Sequence, residues 1–168
     1  MIKSFAIALI FAVSAQQHAA KTWTPATPAQ LEAAIPARAP VEKERIETEL
    51  SSASGIVDSH GKVIAAVVLI TAGYAAHGKY SHFLLVQSPI RIGTEIQLVP
   101  GNYVVGWTRV PEGLSVHVYE AATGKDLGAT LAKPQTQTLP VVPVKIWPPS
   151  DRSMIQIGRF MLPYTLAE

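Results

Sequence analysis

The chain has no cysteine among its 168 residues, which excludes disulfide bonds, thiol nucleophiles and thiolate metal sites. Charge is also sparse: 14 Lys and Arg stand against 12 Asp and Glu, a formal net charge of +2. No basic run occurs, so the electrostatic footprint of a nucleic-acid-binding protein is missing and we expect no nucleic-acid partner. Gly-rich phosphate loops are absent as well, and we expect no cofactor.

What the chain does contain is apolar. Hydrophobic residues make up 48% of it and charged residues only 15%, a balance that can offset the entropy of ordering the chain. The length fits one ordinary globular domain with an additional segment. The composition therefore predicts a folded core, interrupted by turns at many of the 13 Pro and 11 Gly residues.

The first residues have the order of a secretory signal peptide. Lys3 supplies a positive charge, an apolar stretch follows from residue 5 to residue 13, and Ala15 is a small residue at the expected cleavage point. We predict a signal peptide over residues 1–15, with cleavage as late as residue 20 as the alternative. The apolar stretch is much shorter than the ~20 residues of a membrane-spanning helix. Export without disulfides indicates a bacterial periplasmic or extracellular protein that is not integral to the membrane.

A second apolar run extends from residue 63 to residue 76. It is short for a membrane span and contains Gly73, and its many β-branched side chains favour a buried strand. Periodicity alone leaves a buried helix open as the alternative.

Between the predicted signal peptide and the first clear strand, residues 16–44 form a Pro/Ala-rich segment typical of an arm. Thr27, Pro28 and Gln30 match a helix start, with a capping Thr, a Pro at the first helical position and a Gln three residues after the cap. We therefore predict a short helix over residues 28–35. It either docks on the domain, with Trp23 as a possible anchor, or acts as a spacer.

Residues 45–168 contain short β-rich runs separated by turn signals about every ten residues. This spacing predicts an all-β fold, a single antiparallel β-sandwich of about seven to nine strands. The strands that we expect lie at residues 45–51, 63–71, 80–87, 95–98, 102–110, 114–120, 141–147 and 153–160.

The clearest unit is a hairpin formed by residues 102–110 and 114–120. If Val110 pairs with Leu114, four ring-bearing side chains share one face of the hairpin: Tyr103, Trp107, His117 and Tyr119. An exposed aromatic strip can bind a sugar or another apolar ligand, so these four are our candidate ligand-binding residues. The alternative is that they belong to the core.

Leu98, Pro100, Gly101 and Tyr103 form an L-x-P-G-x-Y element. With the strands around it, this element resembles secreted bacterial transthyretin-like and carboxypeptidase-regulatory-like β-sandwich modules, and uncharacterised exported β proteins. The resemblance covers about 35 residues. It implies a fold and a secreted habit but no reaction.

A metal site is a further hypothesis. Asp58, His60, His77 and His82 lie near predicted turns and would converge if those turns shared one end of the sandwich. The alternative is that Asp58 and His60 belong to an Asx-type turn and that the other imidazoles are ordinary.

These observations predict an exported, non-catalytic binding or structural module of the bacterial envelope. A carbohydrate or an envelope protein is the expected partner. The alternative is a secreted hydrolase or a metal-dependent enzyme that uses loop His and Asp residues, although no Gly-x-Ser-x-Gly motif is present. A subunit of a larger envelope assembly, joined by strand addition at a sheet edge, is a third possibility.

Overall fold

A computed structural model describes residues 22–71 and 79–166 of the chain. The predicted signal peptide lies outside these residues. The described part has one helix, α1 (Pro28–Ala34), and the following strands: β1 (Thr24–Pro25), β2 (Arg38–Val41), β3 (Glu44–Val57), β4 (Val63–Ile70), β5 (His82–Val86), β6 (Ile90–Ile92), β7 (Ile96–Leu98), β8 (Gly101–Val110), β9 (Gly113–Glu120), β10 (Asp126–Pro134), β11 (Val142–Trp147), β12 (Met154–Gly158) and β13 (Phe160–Leu166).

The prediction of an all-β, antiparallel fold is confirmed, but the predicted number of strands is too low. Thirteen strands form one sheet in the described residues, in the order β1-β3-β4-β5-β8-β9-β10-β13-β12-β11. Strand β2 pairs with β3, and the β6–β7 hairpin is attached to β13. The sheet rolls until β11 lies against β3, where Ile146 N donates to Ser54 Oγ at 3.0 Å. One nearly closed, rolled sheet therefore replaces the predicted sandwich.

Two of the strands that the sequence analysis missed contain residues that usually interrupt strands. In β10, the pairing with β9 shifts register between Asp126 and Gly128, and Gly128 has a φ of 130°. In β13, Pro163 lies where the strand changes its neighbour from β10 to β6. Regular strand pairing is interrupted at both positions, by the bulge at Gly128 and by the change of neighbouring strand at Pro163. Gly and Pro are therefore tolerated there.

The sheet carries buried apolar side chains on both of its faces, although on the outer face only over part of its strands. Its inner face forms the main core, with buried side chains from strands all round the roll, such as Val67, Val105, Val118 and Ile146. A second core lies on the outer face of β3, β4, β5, β8 and β9. The apolar run from residue 63 to 70 is therefore strand β4, buried on both faces as the sequence analysis expected.

Helix α1 and strand β2 cover this second core. The helix has the reciprocal cap of its sequence pattern: Gln30 N donates to Thr27 Oγ1 at 3.3 Å, and Thr27 N donates to Gln30 Oε1 at 2.8 Å. Leu31 is buried, and at Gly55 the helix approaches β3 so closely that a Cβ would lie 2.8 Å from Leu31 Cδ2. Residues 24–41 are thus docked on the sheet, and the segment predicted as an arm does not act as a spacer there. In the described residues, no helix has the length and apolarity needed to cross a membrane.

Candidate functional site

The structure does not bring the four predicted ligand-binding side chains to one face. Strands β8 and β9 pair with Val110 opposite Gly113, one residue away from the predicted register. Trp107 therefore faces Val116, and His117 faces Gly106. Because opposite residues share a face and neighbours along a strand alternate, this slip sends Trp107 and His117 to opposite faces of the hairpin.

Tyr103 and Trp107 are on the inner face. Tyr103 is only 6% exposed, its hydroxyl donates to Val99 O at 2.7 Å, and burial raises its pKa. Trp107 is half-buried against the main core, with its ring centroid 4.8 Å from that of the stacked His82 ring. The inner cavity beside Trp107 has a volume of only about 20 Å³ and is lined by apolar side chains. These two residues pack the core and face no space for a ligand.

His117 and Tyr119 are on the outer face, where Tyr119 belongs to the second core. Its ring contacts Tyr80 edge-on at 5.0 Å between centroids, and the Lys79 ammonium lies 4.2 Å from its centroid. His117 is half-buried and stacks on Tyr119 at 6.0 Å. The aromatic strip predicted as a ligand site is therefore divided between two packed layers.

The candidate metal ligands are also separated. Asp58 and His60 form a turn after β3, in which Asp58 Oδ1 accepts from His60 N and from Lys62 N, both at 2.9 Å. The pKa of Asp58 is lowered, chiefly by the hydrogen bond that its carboxylate accepts from Lys62 N. His60 Nδ1 is 4.0 Å from the carboxylate, and its side chain is 88% exposed. The Asx-type turn that the sequence analysis weighed as the alternative is what the structure contains.

His82 lies far from that turn. It pairs with Leu69, whereas the turn adjoins Val63, and six residues of β4 separate the two by about 20 Å. Burial lowers the pKa of His82 to about 4. His77 lies outside the described residues. Within residues 22–71 and 79–166, no three His, Asp or Glu side chains gather into a cation site.

A groove of about 880 Å³, which we call the β10–β13 groove, is open at the surface of the described part of the chain. Strands β10 and β13 pair only at residues 133–134 and 160–161, and beyond that point the β6–β7 hairpin pairs with β13 instead. The divergence of the two strands opens the groove. The turn at residues 93–95, the segment 133–139 and residues 151–152 enclose it.

The β10–β13 groove combines apolar and polar side chains. Met154 and Met161 line it, and these are the only methionines of the chain apart from Met1. Met is unbranched and polarisable, and it is frequent at surfaces that adapt to their ligands. The charged lining residues balance in sign, with two basic and two acidic side chains: Lys133, Arg152, Glu95 and Asp151.

One wall of the groove is held by a buried amide. Gln156 is 0% exposed, and its Nε2 donates to Pro140 O at 2.8 Å and to Gly158 O at 2.9 Å. Its Oε1 accepts from Trp147 Nε1 at 3.0 Å. The bond to Pro140 O thus fastens the segment 135–141 to β12, and the other two bonds join Gln156 to β11 and to the end of its own strand.

Three polar side chains form a hydrogen-bonded row next to the groove. His117 Nε2 lies 3.4 Å from Ser115 Oγ, and His117 Nδ1 lies 3.4 Å from Asp126 Oδ2. The bulge in β10 directs Asp126 to this position, where its other carboxylate oxygen accepts from Gly128 N at 2.8 Å. The cross-strand neighbours of His117 and Ser115 are Ala129 and Leu131, and both of these line the β10–β13 groove.

No residue that lines the groove was predicted to be functional, and of the row only His117 was, as a ligand-binding residue of the aromatic strip. The alternation of Ser115 and His117 along one strand places their side chains on the same face, and this signal was available. The position of Asp126 could not be predicted from the sequence, because it depends on the bulge in β10. The groove depends on strand pairing between distant segments, which no local motif reveals.

The element that carries the family resemblance has structural roles here. Leu98 is buried at the end of β7, Gly101 begins β8, and Tyr103 ties the intervening turn by its bond to Val99. The resemblance to transthyretin-like modules remains a prediction. No protein-family model, curated protein or solved structure matches this chain.

Proposed function

We propose that the protein is an exported binding module of the bacterial envelope and that the β10–β13 groove is its ligand site. The observation that carries this proposal is the difference in volume between this groove and the inner cavity beside Trp107. The inner cavity measures about 20 Å³, whereas the groove measures about 880 Å³ and is open to solvent. Volumes of ~300–1,000 Å³ are typical of sites that bind small molecules or short chain segments.

The groove also has the support that a binding site needs. Its walls are strands β10 and β13, and the outer segment 135–141 is held by the hydrogen bond from the buried Gln156 to Pro140 O. A cleft held in place before binding loses less conformational entropy when a ligand enters. The two methionines provide an apolar surface that can adjust to the ligand within this fixed frame.

Met161→Glu should remove binding by placing a charge on the apolar part of the groove. The immobilised protein is exposed to a bacterial periplasmic extract and, separately, to peptidoglycan fragments, and the bound material is quantified by mass spectrometry. We expect the wild type to retain at least one component of these mixtures, and the variant to retain less than about a tenth of that amount.

Val99→Glu is the matched control, because Val99 is 67% exposed and lies outside the groove lining. It should retain the same material as the wild type. Equal retention by a folded Met161→Glu variant, or no retention by the wild type, would contradict the proposal.

A second function, acyl-group hydrolysis, is favoured by the row of Ser115, His117 and Asp126. In the tautomer with its proton on Nδ1, His117 donates to Asp126 and accepts from Ser115 Oγ, which is the arrangement of an activated serine. Ser115 Oγ would attack an acyl carbon and pass its proton to His117 Nε2, which returns it to the leaving group. We rank this function second, because the backbone N–H groups of a paired strand are engaged in the sheet and a hole for the oxyanion is not evident.

A fluorophosphonate probe separates the two functions, since it reacts covalently with activated serines. The hydrolase predicts labelling of the wild type that falls at least about tenfold in Ser115→Ala and in His117→Gln. Ser150→Ala is the control, since Ser150 Oγ only donates to Trp23 O. Equal labelling of the wild type and Ser115→Ala would rule out the hydrolytic row.

A further inference from the structure

We infer that the ligand of the β10–β13 groove is an extended peptide whose backbone amide pairs with Gln135 and Arg152. This inference rests on the proposed binding function and names the class of ligand. In the described residues, two buried side-chain atoms lack a hydrogen-bond partner, Gln135 Oε1 and Arg152 Nε. Both side chains line this groove. Folded proteins satisfy most buried polar atoms, so two exceptions at one site need an explanation.

The neighbours of Gln135 use its other polar atoms. The backbone N–H of Gln135 donates to Arg159 O at 2.9 Å, and its side-chain Nε2 lies 3.5 Å from Leu139 O. These contacts fix the residue in the wall of the groove and leave the amide oxygen as a free acceptor. The last torsion of a Gln side chain is soft, so a small rotation can present this oxygen to a ligand.

Arg152 is held in a comparable way. Its Nη1 donates to Gln137 Oε1 at 3.2 Å, and its guanidinium lies 4.8 Å from the centroid of the Trp147 ring. Asp151 Oδ1 lies 3.5 Å from Nε, which balances the charge but is too far for a good hydrogen bond. The N–H at Nε therefore lacks a hydrogen-bond partner within a positioned, charge-compensated guanidinium, and because this atom is buried, a small movement of the side chain must present it to a ligand.

A free acceptor and a free donor in one groove are complementary to an amide. A peptide N–H can donate to Gln135 Oε1, while a peptide carbonyl can accept from Arg152. Each residue of an extended peptide offers one such donor and one such acceptor, and its side chains alternate between the two sides of its backbone. The apolar side chains of the ligand would then lie against Met154, Met161 and Leu139.

A carbohydrate fits the groove less well. Sugar rings are commonly held against the faces of aromatic side chains, and the residues that line the groove include no Phe, Tyr or Trp. The nearby Trp147 has Lys145 Nζ 3.6 Å from its centroid in addition to the Arg152 guanidinium. Of the two partners expected from the sequence, the lining thus favours a protein segment over a carbohydrate, and its balanced charges favour a segment without strong net charge.

The test uses unstructured ten-residue peptides selected from a random library on the wild-type protein. The tightest peptide is labelled with a fluorophore, and its Kd is measured by fluorescence anisotropy. Methylation of the backbone nitrogens, one at a time, should weaken binding at least about tenfold at one or two positions. Gln135→Leu, which removes the acceptor, should weaken the parent peptide about tenfold, and Gln97→Leu, the same change at an exposed position of β7 outside the groove lining, should leave its Kd unchanged.

Three outcomes would overturn the inference: selection that yields no peptide, a peptide whose Kd is insensitive to N-methylation, or a Kd that Gln135→Leu leaves unchanged in a folded variant. Peptidoglycan oligosaccharides that bind in place of peptides would overturn it as well. The failure of this inference is distinguishable from failure of the binding function. If Met161→Glu abolishes retention of an envelope component while no peptide binds, the groove is a binding site for a ligand of another class.

Discussion

Replacing Gln156 with Glu is expected to lower the free energy of unfolding by about 3 kcal/mol at neutral pH. The two side chains have nearly the same shape. A carboxylate can still accept from Trp147 Nε1, but it offers no hydrogen to Pro140 O or to Gly158 O, to which Gln156 Nε2 now donates at 2.8 and 2.9 Å. An unpaired negative charge would then lie against two carbonyl oxygens at a position that is 0% exposed. Urea unfolding of the wild type and the variant at pH 7 measures the loss.

The pH dependence of the variant provides an internal check. A carboxyl group buried among carbonyl oxygens has a raised pKa, because its charged form is disfavoured and its protonated form can donate a hydrogen bond. The stability deficit of Gln156→Glu should therefore be largest at neutral pH and shrink as the pH falls through that raised pKa. A deficit that stays constant between pH 4 and pH 7 would show that packing, and not the buried charge, causes it.

Gln97→Glu is the matched control for the same chemical change. Gln97 is exposed on the short strand β7, opposite Arg91, and neither residue is part of the Gln156 network. The free energy of unfolding of Gln97→Glu should be within about 0.5 kcal/mol of that of the wild type. If Gln156→Glu behaved like Gln97→Glu, the buried amide would not be what holds the outer wall of the groove.

The sequence was sufficient to predict structure where the cause is local. The apolar, β-branched run that begins at Val63 could be identified as a strand because its composition fits a pleated, buried surface. The start of helix α1 was visible in Thr27 and Gln30, because both partners of the cap lie within one turn. Both features depend on residues within a few positions of one another.

Prediction failed where the cause was a single residue of register. The hairpin of β8 and β9 was identified, yet Val110 pairs with Gly113 and not with Leu114. Strand β9 begins at Gly113, which has a φ of 156°. The loop between β8 and β9 therefore contains only Pro111 and Glu112. Because side chains alternate with a period of two, this one-residue shift divided the predicted aromatic site between the two faces.

The candidate site was beyond sequence reasoning for a different reason. The groove exists because β13 leaves β10 and pairs with β6, a segment about 70 residues earlier in the chain. Gln135 and Arg152 line the same groove only because distant strands pair, and neither lies in a motif that indicates binding. Among the described residues, the four tyrosines and His82 are buried, whereas His60 lies in an exposed turn.

The protein is expected to lose about 3 kcal/mol of stability between pH 6.5 and pH 4 through His82 alone. Burial lowers the folded-state pKa of His82 to about 4 from the 6.5 of a free imidazole. In that interval the unfolded chain binds a proton that the folded chain does not, so the free energy of unfolding falls as the pH falls. Above pH 6.5 both states hold a neutral imidazole, and this contribution to the pH dependence disappears.

His82→Phe isolates this effect from the carboxylates that titrate in the same range. In the wild type, the His82 ring stacks on Trp107 at 4.8 Å, and phenylalanine keeps a ring at this position but cannot take up a proton. The variant loses the contact between His82 Nδ1 and Ser81 Oγ, which is 2.9 Å long. The variant should therefore be less dependent on pH than the wild type, whatever its stability at pH 7. Thermal unfolding of both proteins at half-unit steps from pH 4 to pH 7.5 gives the two slopes.

His60→Phe serves as the control, because the His60 side chain is 88% exposed. The stability of this variant should depend on pH as steeply as that of the wild type. If His82→Phe and the wild type lost stability in parallel as the pH fell, His82 would not be a buried neutral imidazole. If only His82→Phe flattened the slope, the histidine that the sequence offered as a metal ligand would be established as a core residue whose protonation opposes folding.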